Sequence, residues 1–125
     1  MSDLTWSEAQ LDEVANAEEL VLVISRPERA TLRFPVWTVV VGGAIYVRSY
    51  RGVTNGWYRA VVANPQQAIV LGSGDVEIRF EFVQGNDAVN EPVSAAFVLK
   101  YANDEYRDSM IEPMAIGATL RILPR

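Results

Sequence analysis

Residues 35–41, Pro-Val-Trp-Thr-Val-Val-Val, run into Gly42-Gly43 and return as Ala44-Ile45-Tyr46-Val47-Arg48-Ser49-Tyr50. β-Branched and aromatic residues fit a pleated, half-buried surface, and a Gly-Gly pair supplies the positive φ that a tight hairpin turn needs. The segment therefore predicts an antiparallel hairpin, and the fold must be built around it. Alternation along the return strand puts Ile45, Val47 and Ser49 on one face and Tyr46, Arg48 and Tyr50 on the other.

Four further runs read as strands: residues 20–25, 68–71, 76–83 and 119–123. In the third, Val76, Ile78, Phe80 and Phe82 are expected to face the core. Three segments read as helices. Ser7 and Gln10 have capping-box spacing before a helix over residues 8–16, with Trp6 and Leu11 at the positions of a hydrophobic staple. Residues 57–63 have helical spacing and stop at Asn64-Pro65. Val93, Ala96, Phe97, Lys100 and Tyr101 share one helical face over residues 92–102. A short helical turn fits within residues 105–115. The order is α-β-β-β-α-β-β-α-β, an α+β domain spanning residues 1–125 with a mostly antiparallel six-stranded sheet. Such a sheet either closes into a barrel or exposes edges that need a partner.

Composition narrows the chemistry. The 125 residues include no Cys and no His, so a thiolate nucleophile, a His base and the usual zinc and iron ligands are all missing. Any reaction would have to draw its chemistry from an organic cofactor or a bound substrate. The net charge of -5 is the opposite of what a general nucleic-acid binder carries. No apolar run reaches the roughly 18 residues of a membrane span. The first residues have no leader pattern, which makes the cytoplasm the expected compartment.

The charge is unevenly spread. Ten of the eleven basic residues are Arg, with Lys100 the exception, and six of them fall between Arg26 and Arg59. Arg48, Arg51 and Arg59 lie around a loop containing Gly52 and Gly56, before a helix N-terminus. Guanidinium groups and free backbone N–H groups suit a phosphate. Tyr50, Trp57 and Tyr58 offer flat surfaces for an aromatic ring. Competing readings stand beside these. Trp57 has the spacing of a core residue, the Arg side chains have carboxylates to pair with, and Lys100 on an apolar helix face can extend to the surface.

The hairpin at residues 35–49 resembles the opening of the flavin-binding split-barrel superfamily. That group includes pyridoxamine-phosphate-oxidase-like proteins and deazaflavin-dependent nitroreductases. The continuation Gly52 … Trp57-Tyr58-Arg59 … Asn64-Pro65 is similar to the deazaflavin branch, although that branch has Asn where Arg59 stands. A family of small uncharacterised bacterial proteins in this superfamily is more similar still. It shares Tyr46-Val47-Arg48-Ser49, Trp57-Tyr58-Arg59, Ala95-Ala96 … Lys100-Tyr101 and Arg121 … Pro124-Arg125. The resemblance implies a six-stranded split barrel and a homodimer with FMN or a deazaflavin at its interface. By position it places Arg48, Ser49 and Arg59 at the phosphate, and Trp37 near the ring system. Arg51, Gly52, Trp57, Tyr58 and Lys100 complete the candidate binding set, and no residue is assigned a catalytic role. A cofactor-free anion- or small-molecule-binding module, and a purely structural dimer, are the alternatives.

Overall fold

The hairpin forms where expected. Strand β3 (Thr38–Val41) pairs with β4 (Ala44–Arg48) through a Gly42-Gly43 turn whose residues have φ of 58° and 79°. A Cβ is strained at both positions, which explains the two glycines. The computed structural model describes residues 5–125. Met1–Leu4, part of the stretch read for a leader, lie outside the described residues.

Among the described residues there are seven strands rather than six. The others are β1 (Leu20–Arg26), β2 (Arg29–Val36), β5 (Gln66–Leu71), β6 (Gly74–Val83) and β7 (Thr119–Pro124). Their order is β2-β1-β5-β6-β7-β4-β3, and every pair is antiparallel. The extra strand arises because the run at residues 35–41 is split at Trp37. Its first part belongs to β2, which starts earlier, at Arg29, and pairs with β1. Pro35 fits there because β2 is an outer strand and needs no donor on its free side. The two outer strands, β2 and β3, are thus consecutive in the chain with one residue between them. The sheet curls until its two borders meet at Trp37.

The helices follow local signals. Helix α1 (Glu8–Asn16) has the full Ser7/Gln10 capping box, and α2 (Gly56–Ala63) is capped by the Asn55 side chain on the Trp57 N–H. Helix α3 (Asn90–Lys100) lies two residues earlier than its spacing suggested. A 3-10 turn (Arg107–Ile111) and a short α4 (Pro113–Ile116) precede β7.

Two cores result. The barrel interior holds Leu22, Ile24, Ile45, Val47, Ile69, Ile78, Phe80, Leu120 and Ile122, with Trp6, Trp57, Tyr58 and Val61 closing it. The second lies outside β3 and β4, where Val93 and Phe97 of α3 and Tyr101 at its C-cap cover Val39 and Tyr46. The alternation along β4 therefore holds, with both of its faces buried. It fails at the end of β6, where Phe82 stays 40% exposed and Val83 is buried. Tyr58 is the aromatic neighbour of Phe82, at 6.0 Å, whereas Val83 packs into the core beneath α3.

Candidate functional site

The Trp37 break opens a cleft of about 580 Å3 where the sheet borders meet. Phe34, Pro35, Val36 and Trp37 form one wall. Tyr50 and Asn55, from the loop after β4, Trp57 of α2, and Tyr106, Ser109 and Met110 also line it, together with the buried Arg48 and Ser49. One face of Trp37 is already covered, since Tyr101 stacks on it at 4.1 Å with the rings 7° from parallel. Trp57 meets Phe34 at 5.9 Å and is 9% exposed. It is both a core residue and a cleft wall.

The candidate cations occupy different places. Arg48 is 2% exposed. Its Nε donates to Thr119 Oγ1 (2.9 Å), and Nη1 donates to Ser94 Oγ (2.7 Å) and the Met110 carbonyl (2.9 Å). Nη2 donates to the Asn90 carbonyl (3.1 Å) and Asn90 Oδ1 (3.3 Å). A guanidinium has five N–H groups, and all five are used. The group also lies 5.6 Å from the Phe97 ring centre. Burial lowers its pKa to about 10, so it stays charged at neutral pH. Arg48 thus joins β4, β7, α3 and the 3-10 turn, and leaves no N–H for a ligand.

Ser49 is likewise internal. Its hydroxyl donates to the Gly52 carbonyl at 2.8 Å, and the Gly52 N–H donates back to the Ser49 carbonyl at 2.8 Å. Gly52 has φ of 77°, and a Cβ there would come within 2.5 Å of Met114 Cγ. Its role is a close approach between loop and α4. Arg51 is exposed at the cleft rim, with Nε donating to Tyr50 Oη at 3.1 Å. Tyr58 points into the core, and burial raises its pKa. Arg59 faces a second groove, described below.

Lys100 lies apart from all of these. Its ammonium donates to the carbonyls of Val14 (3.1 Å) and Thr38 (2.7 Å), so it ties α3 to α1 and β3. Burial lowers its pKa. The oddly placed lysine of the sequence is explained by unpaired backbone carbonyls in need of a donor. Tyr101 beside it accepts from the Thr38 N–H (3.2 Å) and donates to the Glu18 carbonyl (2.7 Å).

That environment makes a pH prediction. Burial, reinforced by the nearby carboxylates of Glu19 and Glu18, pushes the Tyr101 phenol up to about 12, against the opposing pull of its backbone bond to Thr38. A raised phenol pKa means the folded state holds the proton that the unfolded chain releases near 10. The stability Tyr101 provides is fully present below pH 10 and is lost as pH rises from 10 to about 12. Arg48, lowered from 12.5, works in the opposite direction over the same range, so wild type alone does not isolate Tyr101. The gap in stability between wild type and Tyr101→Phe is therefore expected to be constant to pH 10 and to shrink by pH 11.5. Urea midpoints at the two pH values read it directly; an unchanged gap would refute it.

The second groove, of about 770 Å3, runs along the other side of the Phe34–Trp57 wall. Phe34, Asn55 and Trp57 line both depressions. Arg26 and Arg29, flanking the β1–β2 turn, join Arg59 around it, and among the described residues no carboxylate lines it. The sequence placed Arg59 in the candidate set but missed Arg26 and Arg29. The available signal was two arginines three apart on a hairpin turn. The expected phosphate set of Arg48, Ser49 and Arg59 is therefore divided between the cleft's buried lining and this separate groove. Among the described residues no helix is long and apolar enough to cross a membrane.

Solved structures share this architecture at low sequence identity. A conserved hypothetical protein, Rv2991 from Mycobacterium tuberculosis, superposes with a TM-score of 0.68 at 17% identity, covering 100% of this chain and 83% of that one. The heme storage protein HutZ from Vibrio cholerae gives 0.70 at 14% identity, over 94% of this chain and 89% of the other. A FAD-binding protein from Mesorhizobium loti gives 0.62 at 15% identity, over 97% and 91%. These similarities establish an α+β split barrel. Among curated proteins, none matches the chain in sequence. Residues 10–122 do match one family, and the chain accordingly belongs to DUF2255, described as uncharacterized proteins conserved in bacteria.

Proposed function

We propose that this chain is a split-barrel protein that binds a flavin-type cofactor, FMN or a deazaflavin, in the cleft at the Trp37 break. The observation that carries the reading is an aromatic-walled cleft at the one place where the sheet borders meet. Phe34, Trp37, Tyr50, Trp57 and Tyr106 offer flat apolar surface, and Asn55 and Ser109 offer hydrogen bonds to a heterocycle edge. Support also comes from similar folds described as FAD-binding and heme storage proteins. Haem fits this chain less well, because it has neither the His nor the Cys that most haem proteins use.

A bound flavin or deazaflavin would supply the hydride chemistry, and this chain's residues would hold, orient and shield it. Its buried lining residues, Arg48 and Ser49, have their donors committed within the protein. They shape the cleft and keep its wall rigid. Among the described residues, Glu19 is the one carboxylate that lines it.

The rim is apolar and exposed. Tyr50 and Tyr106, which line the cleft, are 49% and 67% exposed, and Val53 and Met114, on or against the Gly52 loop, are 54% and 61% exposed. Val53 adjoins Gly52, against which Met114 packs. A rim of this kind suits a second copy of the chain closing over the ligand.

Purified protein titrated with FMN and with a deazaflavin is expected to quench the ligand's fluorescence at micromolar concentration. Light scattering is expected to give twice 13.9 kDa. Tyr50→Ala and Tyr106→Ala remove exposed aromatic surface and leave the cores intact. Each is expected to weaken binding by about 3- to 10-fold, the usual worth of an aromatic contact. No quenching by either ligand would sink the proposal. Binding that both variants leave untouched would move the ring out of the cleft.

A further inference from the structure

Six arginines lie between residues 26 and 59, and four have visible roles at separate places. Arg33 makes a two-pronged pair with Asp75 at 2.9 and 3.1 Å. Arg48 is buried with every donor used, and Arg51 stacks on Tyr50. Arg26 is half used, its Nε and Nη2 both donating to the Ala30 carbonyl. Arg29 and Arg59 remain. Both are exposed, and neither guanidinium has a hydrogen-bond or ion-pair partner among the described residues.

Arg26, Arg29 and Arg59 line one groove, on a chain of net charge -5, and among the described residues no Asp or Glu lines it. Three like charges around one depression repel one another, and an acidic chain has carboxylates to spare for pairing. The arrangement is favourable once an anion enters. The first turn of α2, starting at Gly56, lines the same groove with its positive end, where the Asn55 cap already takes the Trp57 N–H.

We infer that this groove is an anion-binding site, and that it takes the phosphate or other anionic tail of the ligand whose ring system occupies the neighbouring cleft. The second half rests on the proposed function. Phe34, Asn55 and Trp57 line both depressions, so a ligand crossing their wall reaches from aromatic surface to guanidinium without leaving the protein. Arg48 cannot serve the tail in the cleft itself, because it has no free N–H.

The test separates the two halves. Inorganic pyrophosphate is titrated into the 15N-labelled protein, followed by NMR. Saturable shifts at Gly56, Arg59 and Arg29, abolished in the double variant Arg29→Ala/Arg59→Ala, are expected; no saturable shift at millimolar pyrophosphate overturns the site. FMN and riboflavin, which share a ring and differ in the phosphate, are then compared. Wild type is expected to prefer FMN by about tenfold or more, as one charge-assisted contact allows, and the double variant to bind both alike. Equal binding by wild type overturns the link between groove and cleft. If neither these flavins nor a deazaflavin binds but pyrophosphate does, the cleft reading fails and the anion site stands alone. Both substituted residues are exposed, so the variant is expected to fold. Its melting temperature is the control.

Discussion

Replacing Arg48 with methionine is expected to lower folding stability by about 3–5 kcal/mol. Five acceptors lose their donor: Thr119 Oγ1, Ser94 Oγ, the Met110 and Asn90 carbonyls and Asn90 Oδ1. Each buried acceptor left unpaired costs about 1–3 kcal/mol, less whatever water or rearrangement restores. Methionine keeps most of the volume, so the loss reads hydrogen bonding rather than a cavity. Arg48→Lys keeps the charge with three donors in place of five, and should fall between the two. Urea unfolding with an unchanged slope measures it. A loss below about 1 kcal/mol would mean the network is worth little. The same variants separate two roles for this residue. A ligand contact would cost affinity and spare stability, the reverse of what the buried network implies.

Trp6→Ala is expected to cost a comparable amount, about 3–5 kcal/mol, the usual loss when a buried Trp is truncated. Trp6 is 6% exposed, and its Nε1 donates to the Ile122 carbonyl at 2.9 Å across 116 residues of chain. It fastens the start of the chain to β7. For a chain of this length the melting temperature should fall by roughly 10–20 °C. Trp6→Phe keeps most of the apolar surface and loses the hydrogen bond, so about 1 kcal/mol is expected. Equal losses in the two variants would show that the bond, not the packing, dominates.

The parts of the fold that local chemistry specifies could be read from sequence. The Gly42-Gly43 turn needs positive φ, the Ser7/Gln10 box is a reciprocal pair three residues apart, and β4 alternates between two cores. Strand β2 was hidden because Arg29, Arg33 and Pro35 interrupt its apolar pattern. An outer strand tolerates all three, since one of its edges and much of one face remain free. The break at Trp37 was hidden because residues 36–41 have uniform β preference, and only the change of ladder partner divides them.

The candidate site was partly legible. Charge clustering drew attention to Arg48, but its partners lie 42–71 residues away along the chain. Burial of that kind leaves no local sign. Arg59 was singled out, while its groove companions Arg26 and Arg29 were not, because they reach it through the β1–β2 pairing. Lys100 stands out in the sequence as a lone lysine on an apolar helix face, with the surface or a ligand as its expected destinations. What it answers, two backbone carbonyls on other elements, is a tertiary fact.

The junction at Trp37 also bears on how the barrel moves. The β1–β2 ladder ends at the pair Leu20–Val36, and the β3–β4 ladder begins at Thr38–Val47, so residue 37 belongs to neither. Swinging one wall against the other at that seam breaks no rung of either ladder. It is resisted by the Trp37–Tyr101 stack and the bonds that Tyr101 and Lys100 make to Thr38. Local opening is cheapest where few such contacts hold. A molecule wedged into the seam acts as a latch, and latching strengthens with its concentration: at a hundredfold excess over its dissociation constant it adds about 2.7 kcal/mol to the closed form.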